Sequence, residues 1–160
     1  MRHYISIIIL ALCLVACNRH SKHWETLMQV ETFIVQRPDS ALAVLERIDT
    51  EELSSKEEKA KHALLLSMAF DKNVIDKTDF EVLQPAIDYY NDKGSATDKL
   101  RTCYYQGRIY ENQGNVAQAM TCFCEGIEQG ADSEDLLTKA NLYFSQGRIQ
   151  ELLFEWDKET

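Results

Sequence analysis

KLRTCYYQGRIYENQGNVAQAMTCFCEGIEQG, residues 99–130, is the stretch that decides the fold. Tyr104, Gly107 and Tyr110, then Ala119, Phe123 and Gly126, recur at threes and fours on either side of Gly114. That is the period of two helices, each with one buried stripe, joined by a turn. Asn115 with Gln118 makes a box-like start for the second helix. The pattern repeats 33 residues later, where Gly107, Tyr110, Gly114, Ala119 and Phe123 become Ala140, Tyr143, Gly147, Leu152 and Trp156. A small residue lets two helices approach, aromatics fill the space between them, and a glycine turns the chain.

Working outward, the same signals continue in both directions. Asp39 can cap a helix carrying Ala41, Leu42, Leu45 and Ile48. Ser55-x-x-Glu58 and Thr78-x-x-Glu81 read as capping boxes ahead of apolar stripes ending at Phe70 and Tyr90. Ser133 opens a segment with Leu136, Leu137, Ala140 and Tyr143. Gly94, Gly114, Gly130 and Gly147 stand where helices should stop. With two prolines and no sustained alternation, the body reads as all-α.

The 99–130 hairpin resembles the tetratricopeptide repeat, a helix pair of about 34 residues. Gly107, Tyr110, Ala119 and Phe123 fall on its signature positions, and Gly126 takes a third small position. Cys103 and Gln106 depart from it, standing where the family prefers a large aromatic and a leucine. Looser copies at 23–48, 54–92 and 134–158 make the expected fold an α-solenoid of about four hairpins over residues 24–160. By the resemblance, the groove-facing positions are Arg101, Tyr104, Arg108, Glu111 and Asn112, then Leu137, Asn141, Phe144 and Ser145. Arg101 and Arg108 could clamp a peptide carboxylate there, or balance local acidic residues. Ala63 to Asn73 and Pro85 to Tyr90 also look like Bacteroidetes lipoproteins in which such repeats precede a membrane helix and signalling regions.

The front of the chain says where such a body sits. Met1 and Arg2 make a positive head, Ile5 to Leu14 an apolar run, and Leu14-Val15-Ala16-Cys17 closes the segment. The run is too short for a spanning helix, which needs about 20 residues. This resembles a bacterial lipoprotein signal peptide (residues 1–16), implying cleavage before Cys17 and acylation, palmitate included, of that cysteine. Residues 17–23 then form the lipidated cysteine and a polar tether. Asn18 after the cysteine resembles the sorting signal for the outer membrane, with the body facing the periplasm.

After Cys17 the chain holds 26 acidic residues against 16 Lys and Arg, a net charge of −10. Phosphate backbones repel such a body, so nucleic acid is not an expected partner. Cys103, Cys122 and Cys124 are an odd set for an exported protein. Cys122 and Cys124 point about 200° apart on one helix. Cys103 with Cys122 is conceivable as a pair; otherwise all three are small apolar packers. No phosphate loop, metal-ligand spacing or nucleophile–base pairing stands out, and His62 is alone on its helix. The acidic pairs Glu51-Glu52, Glu57-Glu58 and Glu134-Asp135 suit helix starts.

The expected function is therefore non-catalytic, with no cofactor and no metal: a membrane-anchored module binding a protein or peptide partner. The alternatives are a sensor domain cut from a longer signalling protein and, less favoured, an envelope enzyme. Leu152-Leu153-Phe154-Glu155-Trp156 is apolar for a last helix. Self-association through that helix is one expectation; docking of another partner or of further repeats, and an ordinary packed terminal helix, are the others.

Overall fold

The computed structural model describes residues 21–159, with side chains through residue 154. Cys17 and the side chain of Trp156 lie outside the described residues. Seven α-helices and one 3₁₀ turn, with no strand, make up the described residues. They are α1 (Lys22–Phe33), α2 (Pro38–Leu45), α3 (Lys56–Lys72), α4 (Gln84–Tyr90), α5 (Ala96–Asn112), α6 (Val116–Gln129) and α7 (Leu136–Glu159). The 3₁₀ turn, Thr50–Glu52, joins α2 to α3.

The helices form two layers. Helices α1, α3, α5 and α7 pack in chain order as one row. Each of α2, α4 and α6 seats between two successive members of that row. The core runs along the junction, from Leu27, Val30 and Leu45 through Leu64, Leu65 and Leu83 to Leu100, Phe123, Leu142 and Ile149.

Local chemistry explains where each helix begins. Ser21, Ser55, Ser95 and Asn115 cap α1, α3, α5 and α6 by accepting a backbone N–H through the side chain. Only Ser95 completes a reciprocal box, with Asp98. The box expected at Ser55 is displaced by one residue. Glu58 reaches past Ser55 and accepts from the backbone and hydroxyl of Ser54, at 2.7 and 2.8 Å. Asp39 lies inside the first turn of α2, whose start is set by Pro38. Asp135, not Ser133, holds the start of α7: its Oδ1 accepts from the Thr138 N–H at 3.0 Å. Because α1 begins at Lys22, the expected tether gives up its last two residues to helix.

Two further departures from the sequence reading have clear causes. No helix starts at Thr78; α4 begins only at Gln84. Pro85 has no N–H to donate and would clash with the preceding turn, so it is tolerated only at a helix start. The second departure is larger. Residues 134–158, read as a hairpin turning at Gly147, are one uninterrupted helix from Leu136 onward, so the described chain holds three helix pairs and a long single helix. Gly114 turns because its φ of +74° suits glycine alone and Asn115 caps the next helix, α6. After Gly147 come Arg148, Ile149 and Gln150, none of which can cap. Continuing the helix leaves no orphaned N–H groups.

The α5–α6 pair is the tightest part of the fold. It runs antiparallel, since Gly107 meets Phe123, Cys103 meets Gly126 and Leu100 meets Gly130. A Cβ on Gly107 would lie 2.3 Å from the Phe123 ring. Phe123 is fully buried, worth about 3 kcal/mol in transfer alone.

Candidate functional site

The α5 residues expected in the groove sit on that row of helices, where they meet the neighbouring helices before they meet solvent. Arg101 of α5 donates through Nε to Asp135 and through Nη1 to Glu31 of α1, each at 2.5 Å. Glu31 also pairs with Lys61 of α3 at 2.9 Å, and Lys61 reaches Asp98 of α5 at 3.3 Å. Five charges from four successive segments thus form one ladder across the row. Lys61 is 6 % exposed, so this ladder belongs to the interior edge of the fold.

A second ladder crosses the same row farther along. Arg108 pairs with Asp71 of α3 at 3.0 Å and with Glu111 at 2.7 Å; Glu111 also accepts from Arg148 of α7. Three of these cross-row pairs, Lys61–Asp98, Asp71–Arg108 and Glu111–Arg148, are each 37 residues apart. Each of them ties one member of the row to the next.

The charges are tuned by their partners. Burial works to raise the Asp98 carboxyl, but the Ser95 hydroxyl and Lys61 hold it below the usual carboxylate range. Burial likewise opposes ionisation of Asp135, and the Thr138 N–H and Arg101 outweigh it. Burial favours the neutral form of Arg101, yet Asp135 and Glu31 keep it more firmly charged than a free guanidinium. Glu58 stays low against its burial because the Ser21 and Ser54 hydroxyls donate to it.

The nine residues expected to line one groove do not form one open surface. Arg101, Arg108, Glu111 and Asn112 are half-buried. Tyr104 is buried, with its ring edge-on to Tyr105 and tilted against Phe123. Asn112 donates to the Lys77 carbonyl at 3.0 Å, and Gln113 to that of Thr78 at 2.7 Å, pinning the α3–α4 connection. On α7, Ser145 is buried and Asn141 half-buried, whereas Leu137 and Phe144 are 47 % and 72 % exposed. The two arginines thus have carboxylate partners within the chain.

Sequence reasoning missed Glu31, Lys61, Asp71, Asp98, Asp135 and Arg148 as members of these ladders. Three of their pairs share a 37-residue spacing, and opposite charges at that spacing were the available signal. The remaining polar groups offer little chemistry. His62 is buried with Nε2 3.0 Å from the Leu45 carbonyl, and its burial favours the neutral ring. Cys103, Cys122 and Cys124 are free thiols. Burial pushes Cys103 up to about 11 and Cys122 up to about 12; Cys124 is exposed. An open groove of about 490 Å³ over α3 and α4 is lined by Lys56, Lys59, Lys93, Glu81, Asp88 and Asp92, so its formal charge balances.

Among the described residues no group of His, Cys, Asp or Glu is placed to hold a metal ion, and no helix is long and apolar enough to cross a membrane. No family model matches the chain, no curated protein matches it, and no solved structure matches it.

Proposed function

We propose that this chain is a lipid-anchored helical-repeat module that binds protein or peptide partners in a bacterial envelope, held at Cys17 and facing the periplasm from the outer membrane. The observation that carries the reading is Leu14-Val15-Ala16-Cys17 placed directly behind the apolar run Ile5 to Leu14. The tetratricopeptide character of the body is part of the proposal. It is supported by paired helices in two layers and by Gly107, Tyr110, Ala119 and Phe123 at signature positions of the α5–α6 pair.

Its mechanism is binding without chemistry. The anchor confines the body to a thin shell, raising its effective concentration for anything else at that membrane. The ladders brace α1, α3, α5 and α7 against one another, so a partner meets a surface already ordered. Arg101 and Arg108 act as struts of that surface, and the partner contacts fall to side chains that reach solvent.

Fractionation of envelopes with mass spectrometry of the N-terminal peptide tests the anchor. The wild-type chain is expected to carry acyl mass on Cys17 and to sediment with membranes, and Cys17→Ser to lose both. Membrane sedimentation of Cys17→Ser equal to wild type would remove the reading.

A further inference from the structure

The long helix α7 is apolar on two opposite sides. One side, with Leu142, Ser145 and Ile149, is buried against α5 and α6. The other carries Leu136, Leu137, Ala140, Tyr143, Phe144 and Gly147, none of them buried. On α5, the residues 33 positions earlier include Cys103, Tyr104 and Gly107, which α6 covers with Phe123 and Gly126. Over Leu136, Leu137 and Ala140 the outer side of α7 therefore repeats the helix-receiving face of α5 and leaves it open. A groove lined by Ile127, Ala131, Lys139 and Tyr143 makes it continuous with α6.

We infer that this face is the seat of a second copy of the same chain, docked with the two α7 helices antiparallel. Three observations select a second copy. First, Lys139 is the only charged residue from Leu136 to Gly147, and its ammonium already donates to the Ala131 carbonyl at 2.8 Å. A chain of net charge −9 repels its own copies, least of all at such a stretch.

Second, the face is self-complementary. Phe144 and Gly147 lie three residues apart on it, and a Cβ added to Gly147 would meet nothing within 4 Å. A two-fold axis between them sets each Phe144 ring on the other copy's Gly147, the contact that Phe123 makes with Gly107 inside the molecule. Third, the area is of the right order. Leu136, Leu137, Tyr143 and Phe144 alone offer roughly 400 Å² of apolar surface, and the flanks of a helix about 36 Å long extend this toward the ~800 Å² per partner of a stable dimer.

The pairing is independent of the anchor, since a chain that is never acylated still carries the face. Sedimentation velocity of the full chain, in density-matched detergent from about 1 µM to about 500 µM, reads it directly. The wild type should pass from one to two chains per particle. Phe144→Glu, with its helicity checked by circular dichroism, should weaken the dimer by at least tenfold. Glu151→Leu should tighten it about tenfold, because Glu151 lies on the same side and falls opposite Ala140 of the other copy in this register. A wild type monomeric at every concentration overturns the inference. So does a dimer indifferent to a folded Phe144→Glu. Should Phe144→Glu unfold, an unchanged dissociation constant for Glu151→Leu overturns it instead.

Discussion

Helices α5 and α7 are copies of one pattern with opposite fates. On α5 the small residue Gly107 lies under a phenylalanine ring, its arginines are held by carboxylates from neighbouring helices, and a partner helix covers its apolar face. On α7 the corresponding face is bare, its small residue Ala140 is exposed, and its one ladder arginine, Arg148, is 44 % exposed. The difference comes from the residues that succeed each pattern. Gly114 and Asn115 turn the chain back to cover α5, while Gly147 lacks a capping neighbour and the chain runs on. A repeat pattern thus builds a closed pair only where the turn chemistry supports it.

The largest test of this contrast is Arg101→Leu. It leaves Asp135 without its cation and Glu31 with Lys61 alone at a largely buried site, and about 3 kcal/mol of stability should be lost. Urea midpoints at unchanged slope would measure it. Arg148→Ala, at the exposed end of the second ladder, should cost under about 1 kcal/mol. Equal losses would erase the distinction between a braced α5 and an open α7.

Glycine to alanine comes next. Gly107→Ala drives a methyl into the Phe123 ring and should cost about 2–3 kcal/mol. Within one chain Gly147→Ala meets no neighbour in a helix interior and, at concentrations too low for pairing, should stabilise by up to about 1 kcal/mol. A loss at Gly147 under those conditions would mean that the chain turns there, as the repeat pattern alone suggests.

Acid should act on the braced side. Asp98 and Asp135 have folded pKa values below their unfolded ones, so their contribution is complete above about pH 4 and is lost as pH falls through the folded values. His62 has the same sign at a higher pH: the unfolded chain takes up its proton first, and stability declines as pH drops below about 6.5. Arg101→Leu should shrink the lower step and leave the upper one, which stability curves at several pH values would resolve. A lower step of undiminished size would detach it from the ladder.

The smallest effect is chemical. In the native protein a maleimide should modify Cys124 within minutes and spare Cys103 and Cys122, whose thiols are buried in the α5–α6 seam and protonated at neutral pH. Three modified thiols beyond Cys17 would show that the seam opens.

Much of this architecture was legible because helix signals are local. The threes-and-fours spacing around Tyr104, Gly107 and Phe123, and the caps at Ser55 and Asn115, act within one or two turns and survive translation into structure. Thr78 and Ser133 misled because a nearer determinant, Pro85 or Asp135, takes the helix start from them. The candidate site was legible only in part. Arg101 and Arg108 could be picked out as unusual, but their partners Glu31, Asp71 and Asp135 lie 70, 37 and 34 residues away, beyond the reach of any local rule.

By itself the sequence determined an all-helical body, its small-and-aromatic α5–α6 seam, and the apolar run that ends ahead of Cys17. These rest on periodicity, capping and hydropathy, which depend on neighbours along the chain. Only the tertiary structure decided that the arginines brace the body from within, and that residues 136–159 form a straight helix with an open face. Those outcomes turn on which charges and surfaces meet across that row of helices, and on whether a second helix returns to cover the first.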